Sequence, residues 1–137
     1  MSKTRAKLFT HAMTVRWGDM DALGHVNNTI YFQYLEQARI AWFESIGAAG
    51  GLLGEQSGPL IVNAACTFLR PVTYPASLRI DVFGASPGRS SFEMEYEIRD
   101  AERHDVLYTT GASKVVWVDY QENRSTPIPA AVRGILP

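Results

Sequence analysis

The run RWGDMDALGHVNN, residues 16–28, crowds Asp19, Asp21, His25, Asn27 and Asn28 into one short polar stretch. Such a set offers three kinds of chemistry. A carboxylate beside the unpaired amides of a helix start can act as base or nucleophile on a carbonyl that those amides polarise. A carboxylate in the same place can instead cap the helix, favoured by the positive end of its dipole. Two aspartates and a histidine can also begin a metal site. No second histidine or cysteine stands at a ligand spacing, however, because His11 falls in a strand pattern and His104 in a polar turn. No metal is expected. Spacing alone does not choose between cap and catalysis, or between Asp19 and Asp21, and His25 reads equally as a loop histidine bonded to backbone.

Other reactive groups have less context. There is no G-x-S-x-G elbow, and the paired Ser90 and Ser91 follow Arg89 in a hairpin connection. Cys66, inside NAACTFL, reads as a small core residue. The glycines at 47, 50, 51 and 54 match neither a dinucleotide fingerprint nor a Walker A loop. Glu93, Glu95 and Glu97 read as the wet face of a strand.

The elements around the polar stretch follow from periodicity. Residues 8–16 alternate as a first strand, with Phe9, Met13 and Val15 on one face. At 100° per residue, Ile30, Tyr31, Tyr34, Leu35, Ala38, Ala41, Trp42 and Ile46 fall on one arc of about 160°, which predicts a helix over 28–46. Asn27 or Asn28 can accept from its first amides, and Gly47 can end it in a left-handed conformation. A glycine-rich link, GAAGGLLGEQSGP at 47–59, leads to four further strands over 60–70, 77–85, 90–99 and 106–119. SPGRS and RDAERHD are their connections. Strand, helix, then four strands with mostly short links predicts an α+β fold: an antiparallel five-stranded sheet packed on one long helix.

With 137 residues, 46% hydrophobic and 20% charged, the chain is expected to form one domain over 1–137. Thirteen basic against fourteen acidic residues give a net charge of −1, and no Lys/Arg run supplies a stripe for nucleic acid. The N-terminus lacks the apolar run of a signal peptide, no segment is long enough to span a membrane, and the single cysteine agrees with a reducing compartment. A cytoplasmic protein is expected.

Through WGDMDALGHVNNTIYFQYLEQAR and the later FLRPVTYP, the chain resembles the 4-hydroxybenzoyl-CoA thioesterase and acyl-CoA thioesterase group of the hotdog-fold superfamily over nearly its whole length. The resemblance implies a sheet wrapped around the helix, and homodimers or homotetramers with active sites at the subunit interface. The activity it implies is hydrolysis of an acyl-CoA, or of an acyl-ACP, to free acid and thiol. Asp21 matches the catalytic carboxylate, as nucleophile or general base, and the backbone of Asn28 matches the amide that polarises the thioester carbonyl. No cofactor is implied, since coenzyme A is part of the substrate. His-Val-Asn-Asn also resembles plant acyl-ACP thioesterases, whose sites use aspartate, asparagine and histidine. Leu23 stands at that asparagine's position here, and the hydroxybenzoyl-type enzymes carry an apolar residue at that of His25. His25 is thus assigned to orienting Asp21 or binding water. Arg70, Arg89 and Lys114, with Ser90 and Ser91, are candidates for the coenzyme A phosphates, and Tyr31 for the acyl pocket. The competing readings are a non-catalytic acyl-thioester binder and a hotdog dehydratase using His25.

Overall fold

The computed structural model describes residues 4–47 and 56–137. Strand β1 (Arg5–Thr14) leads through a single 3₁₀ turn, Trp17–Asp19, to helix α1 (Asn28–Ser45). Strands β2 (Ser57–Phe68), β3 (Ser77–Ala85), β4 (Ser91–Asp100) and β5 (Leu107–Asp119) follow, then the two-residue β6 (Arg124–Ser125) and the short helix α2 (Ala130–Arg133). The sheet is antiparallel with order β1-β3-β4-β5-β2, and β6 adds to β5. It is the α+β hotdog arrangement, five principal strands and one long helix.

Because β1 and β2 are opposite edges of this sheet, α1, which joins them in sequence, must cross its face from one side to the other. The crossing is an apolar contact. Tyr31, Tyr34, Leu35, Ala38, Trp42 and Phe43 are buried against Leu78, Ile80 and Val82 of β3, Phe92, Met94, Tyr96 and Ile98 of β4, and Val115 and Trp117 of β5. Each large side chain so buried contributes about 1.5–3 kcal/mol. Trp42 packs on Phe43 with centroids 4.8 Å apart, and Phe43 meets Trp117 edge-on at 6.1 Å. Gly111 sets how closely helix and sheet approach, since a Cβ there would lie 2.6 Å from Leu35 Cδ1.

Several boundaries differ from the sequence reading: the first strand, expected over 8–16, runs Arg5–Thr14, since its pairing with β3 begins at Arg5 and ends at Thr14. The second strand starts at Ser57 rather than 60, because Gly58 and Pro59 pair with Val118 and Trp117 at a sheet edge, where a proline costs no ladder bond on its outer side. The remainder of the expected link, 48–55, lies outside the described residues. β6 and α2 were not anticipated. They bury Ile128 and Val132, and Leu136 packs over Gly84, closing the end of the core near the β3–β4 connection.

The glutamate face of β4 also differs. Glu93 is exposed, but Glu95 and Glu97 are buried beneath arginines. From β1, Arg5 lies 3.8 Å over the Phe83 ring and forks onto Glu95 (3.0 Å) and Glu97 (2.9 Å), while Arg99 donates to Glu97 at 2.9 Å. Burial by itself raises the Glu97 pKa, but the hydrogen bonds and charges of Arg5 and Arg99 outweigh it and hold the group below its ordinary 4.5. With the folded-state value depressed, the ionised form contributes stability above pH 4.5 that is lost as pH falls through the folded value. Glu97→Gln is therefore expected to unfold with a flatter pH dependence below 4.5 than the parent, read from urea midpoints across that range.

Candidate active site

The polar stretch folds back on itself just before α1. Met20 and Val26 form an isolated antiparallel bridge, Asp21 N–H donates to His25 O (3.0 Å), and Gly24 N–H donates to Asp21 O (3.0 Å). This miniature hairpin needs Gly24 at φ +82°, where a side chain is strained. Asn27 then opens the helix, its Oδ1 accepting from Thr29 N–H at 2.9 Å and from the Thr29 hydroxyl at 2.6 Å.

The two aspartates, indistinguishable by spacing, have separate fates. Asp19 is 4% exposed; its Oδ2 accepts from the Tyr34 hydroxyl (2.7 Å) and Arg16 N–H (3.0 Å), and its backbone O accepts from Asn27 N–H (3.0 Å). Burial first, then the Asp19 hydrogen bond and charge, push the Tyr34 phenol far up, so it stays a donor. Asp19 is a structural clasp. Asp21 instead reaches a cleft, with Oδ1 accepting from Leu23 N–H (2.9 Å) and Oδ2 from the Asn27 side-chain amide (3.0 Å).

That cleft, of about 350 Å³, gathers Asp21, Leu23, His25, Val26 and Asn28 from the loop and helix start, Tyr31 from α1, and Phe68 through Pro71 from the end of β2 and beyond. The segment after β2 crosses from one side of the sheet to β3 and braces the loop on its way: Val26 N–H donates to Val72 O (2.9 Å), and Val72 N–H donates to the Tyr31 hydroxyl (3.2 Å). Tyr31 thus presents its ring, 5.0 Å from Phe68, while its oxygen is engaged structurally. Burial raises the Tyr31 phenol pKa, opposed by the Val72 hydrogen bond. Among the described residues, the Asn28 N–H meets no acceptor. A carboxylate and a free first-turn amide therefore border one pocket with aromatic walls, an arrangement suited to attack on a polarised carbonyl.

Of the residues anticipated from sequence, Asp21, His25, Asn28, Tyr31 and Arg70 meet in this cleft. Arg89, Ser90 and Ser91 do not. Arg89 and Ser90 lie in the β3–β4 connection, where Arg89 O accepts from Ile128 N–H and Ser90 O from Trp117 N–H, and Ser91 opens β4 opposite Val116. Lys114 sits outward on β5, opposite Glu93. Cys66 is half-buried on β2, and burial pushes its thiol up to about 11, which keeps it protonated. Among the described residues, no three His, Cys, Asp or Glu side chains cluster as a metal site would require. Phe68, Leu69 and Pro71 are not singled out as pocket residues by the sequence reading, although FLRP, the first half of the second familiar segment FLRPVTYP, is the available signal.

The family model for the thioesterase-like superfamily matches residues 15–136, from just before the polar stretch almost to the C-terminus. The chain belongs to the thioesterase-like superfamily. It is a thioester hydrolase by that membership, and solved structures agree. The PA2801 protein of Pseudomonas aeruginosa, a candidate thioesterase, is 44% identical, with a TM-score of 0.88 over 93% of this chain and 97% of that one. A candidate acyl-CoA thioesterase of Xanthomonas campestris is 32% identical (TM-score 0.77, 89% and 99% covered). The BH1999 gentisyl-coenzyme A thioesterase is 25% identical (TM-score 0.80, 93% and 98% covered). No described helix of this thioesterase-like chain is long and apolar enough to cross a membrane.

The hairpin geometry yields a direct test. Space around Gly24 is open, so Gly24→Ala costs only its backbone strain, about 1–2 kcal/mol. Gly18, also in open space but without a positive φ, accepts alanine at little cost. Urea unfolding of the two variants is expected to separate them by that margin.

Proposed function

We propose that this chain hydrolyses acyl-CoA thioesters to a free carboxylic acid and coenzyme A. The observation that carries the reading is the Asp21 carboxylate, held at both oxygens in the same cleft as the unused Asn28 amide. A thioester carbonyl is weakly resonance-stabilised and gathers negative charge at oxygen when attacked. The Asn28 N–H, fixed at a helix start, meets that charge without reorganisation. Asp21 then acts in one of two ways. As nucleophile it bonds to the carbonyl carbon as the C–S bond breaks, leaving a mixed anhydride and a thiolate, and water hydrolyses the anhydride. As base it takes a proton from water while the hydroxide adds to that carbon and the thiolate departs. Either route consumes one water and needs no metal or separate cofactor. In this reading His25 binds water or orients Asp21.

The apolar walls, Val26, Tyr31, Phe68 and Leu69, suit an aryl or short aliphatic acyl group. Arg70 borders the same cleft as a partner for a coenzyme A phosphate. Arg89, Ser90 and Ser91 lie outside it, so they serve the nucleotide end only from a neighbouring copy. Such a copy is part of the reading, in a homodimer or homotetramer. β2 is an edge strand with Leu60 and Val62 each 49% exposed and Leu69 beyond it 52% exposed, whereas the opposite edge, β1, carries Arg5 and Lys7. An apolar edge of that length calls for a partner strand. Pairing of two β2 strands antiparallel brings the first half of one beside the second half of the other, next to Phe68 and the cleft. A cytoplasmic setting completes the reading, supported by the single cysteine.

Colorimetric thiol release across aryl- and alkyl-CoA substrates is expected to detect turnover, and Asp21→Asn to lower it about 10²-fold or more with an unchanged melting temperature. Near-normal turnover in that variant removes Asp21 from the chemistry. The edge is tested separately: Leu60→Lys with Val62→Lys is expected to give a monomer in sedimentation velocity, with loss of turnover, while the parent sediments as a dimer or tetramer.

A further inference from the structure

Asn27 occupies an unusual place between the two halves of the site. Its Oδ1 takes both donors of Thr29, the backbone N–H and the hydroxyl, which fixes the side-chain amide with its NH₂ directed away from the helix. That NH₂ meets Asp21 Oδ2 at 3.0 Å. The backbone is fastened as well, since Asn27 N–H donates to Asp19 O (3.0 Å) and Asn27 O accepts from Ile30 N–H (2.9 Å). One half-buried side chain therefore ties the Asp21 carboxylate to the helix start, whose next residue, Asn28, lines the cleft.

We infer that Asn27 is a positioning residue, which holds the carboxylate of Asp21 at a fixed place relative to the Asn28 amide by accepting from the helix and donating to the carboxylate at once.

The residue type follows from this double task. Serine, threonine, aspartate and asparagine all cap helices, but only asparagine combines an acceptor for the cap with an NH₂ donor for a neighbouring carboxylate. Aspartate caps equally well and would set a second carboxylate against Asp21; like charges that close disfavour ionisation of both. Serine caps but is too short to reach across. With Oδ2 held by Asn27 and Oδ1 by Leu23 N–H, the carboxylate keeps one orientation, and its remaining lone pairs are left for the reaction. The other titratable groups bordering the cleft are His25 on the loop, Tyr31 on α1 and Arg70 on the connection after β2. Asp19 lies outside it, sealed by Tyr34 and Arg16.

The inference rests on the reading of Asp21 as the acting carboxylate, and the test separates the two. Asn27→Asp and Asn27→Ser, both good caps, are compared with the parent and with Asp21→Asn in melting temperature and in kcat and kcat/KM against pH, using the best acyl-CoA found. Both Asn27 variants are expected to melt within a few degrees of the parent. Asn27→Asp moves the acid limb of kcat/KM upward by about one pH unit or more. Asn27→Ser lowers kcat about tenfold or more with little change in KM. A pure cap predicts none of this. Parent-like profiles in both Asn27 variants alongside an inactive Asp21→Asn overturn the positioning role alone, whereas an active Asp21→Asn overturns the reading beneath it. An Asn27→Ser that fails to fold leaves the acid limb of Asn27→Asp to decide.

Discussion

The candidate site is built around one buried carboxylate that lies outside its cleft. Asp19 sits almost out of solvent between the 3₁₀ turn and α1, and a charge in such a place is tolerable only when its acceptors are filled. Tyr34 and the Arg16 backbone donate to Oδ2, the Arg16 guanidinium lies 3.4 Å from Oδ1, and the Asp19 carbonyl reaches on to Asn27 N–H. Three segments that the chain presents separately, the end of β1, the loop and the second turn of the helix, are thereby locked together. Leaving that carboxylate uncompensated costs several kcal/mol, so the lock is stiff. Through Asn27, whose N–H it holds, this anchor reaches the side chain that contacts Asp21.

Upon it the loop, the helix start and the stretch after β2 converge without any one element supplying the whole site. The loop brings the carboxylate, the helix brings an amide with its dipole, and the crossing segment brings apolar walls and a brace through Val72. This division lets the walls vary in shape while the polar geometry stays put. Superfamily membership and the match to Pseudomonas and Xanthomonas structures fit such a scaffold.

Much of this was legible in the sequence where the signal is local. The helix start agreed to the residue because Asn27 caps it, and β3, β4 and β5 fell within a residue of their expected bounds because their alternation has a period of two. What could not be read depends on distant partners. Whether Asp19 or Asp21 is sealed turns on Tyr34, fifteen positions further on, and the fate of Glu95 and Glu97 turns on Arg5, at the far end of the chain. β6 and α2 are too short for any periodicity to register, and Gly58 and Pro59 look like a link until their edge position is known. For the site, the cap at Asn27 was visible, but its second bond, to Asp21, was not.

The strand order carries a further consequence for biosynthesis. β1 pairs with β3, and β2 with β5, so within this sheet neither of the first two strands finds a neighbour in the N-terminal half. During translation, the aromatic stripe of α1 emerges before the surface that covers it. The β3–β4–β5 meander is the template onto which the earlier half must close, which makes assembly rely on long-range contacts and places the slow, aggregation-exposed interval late in synthesis.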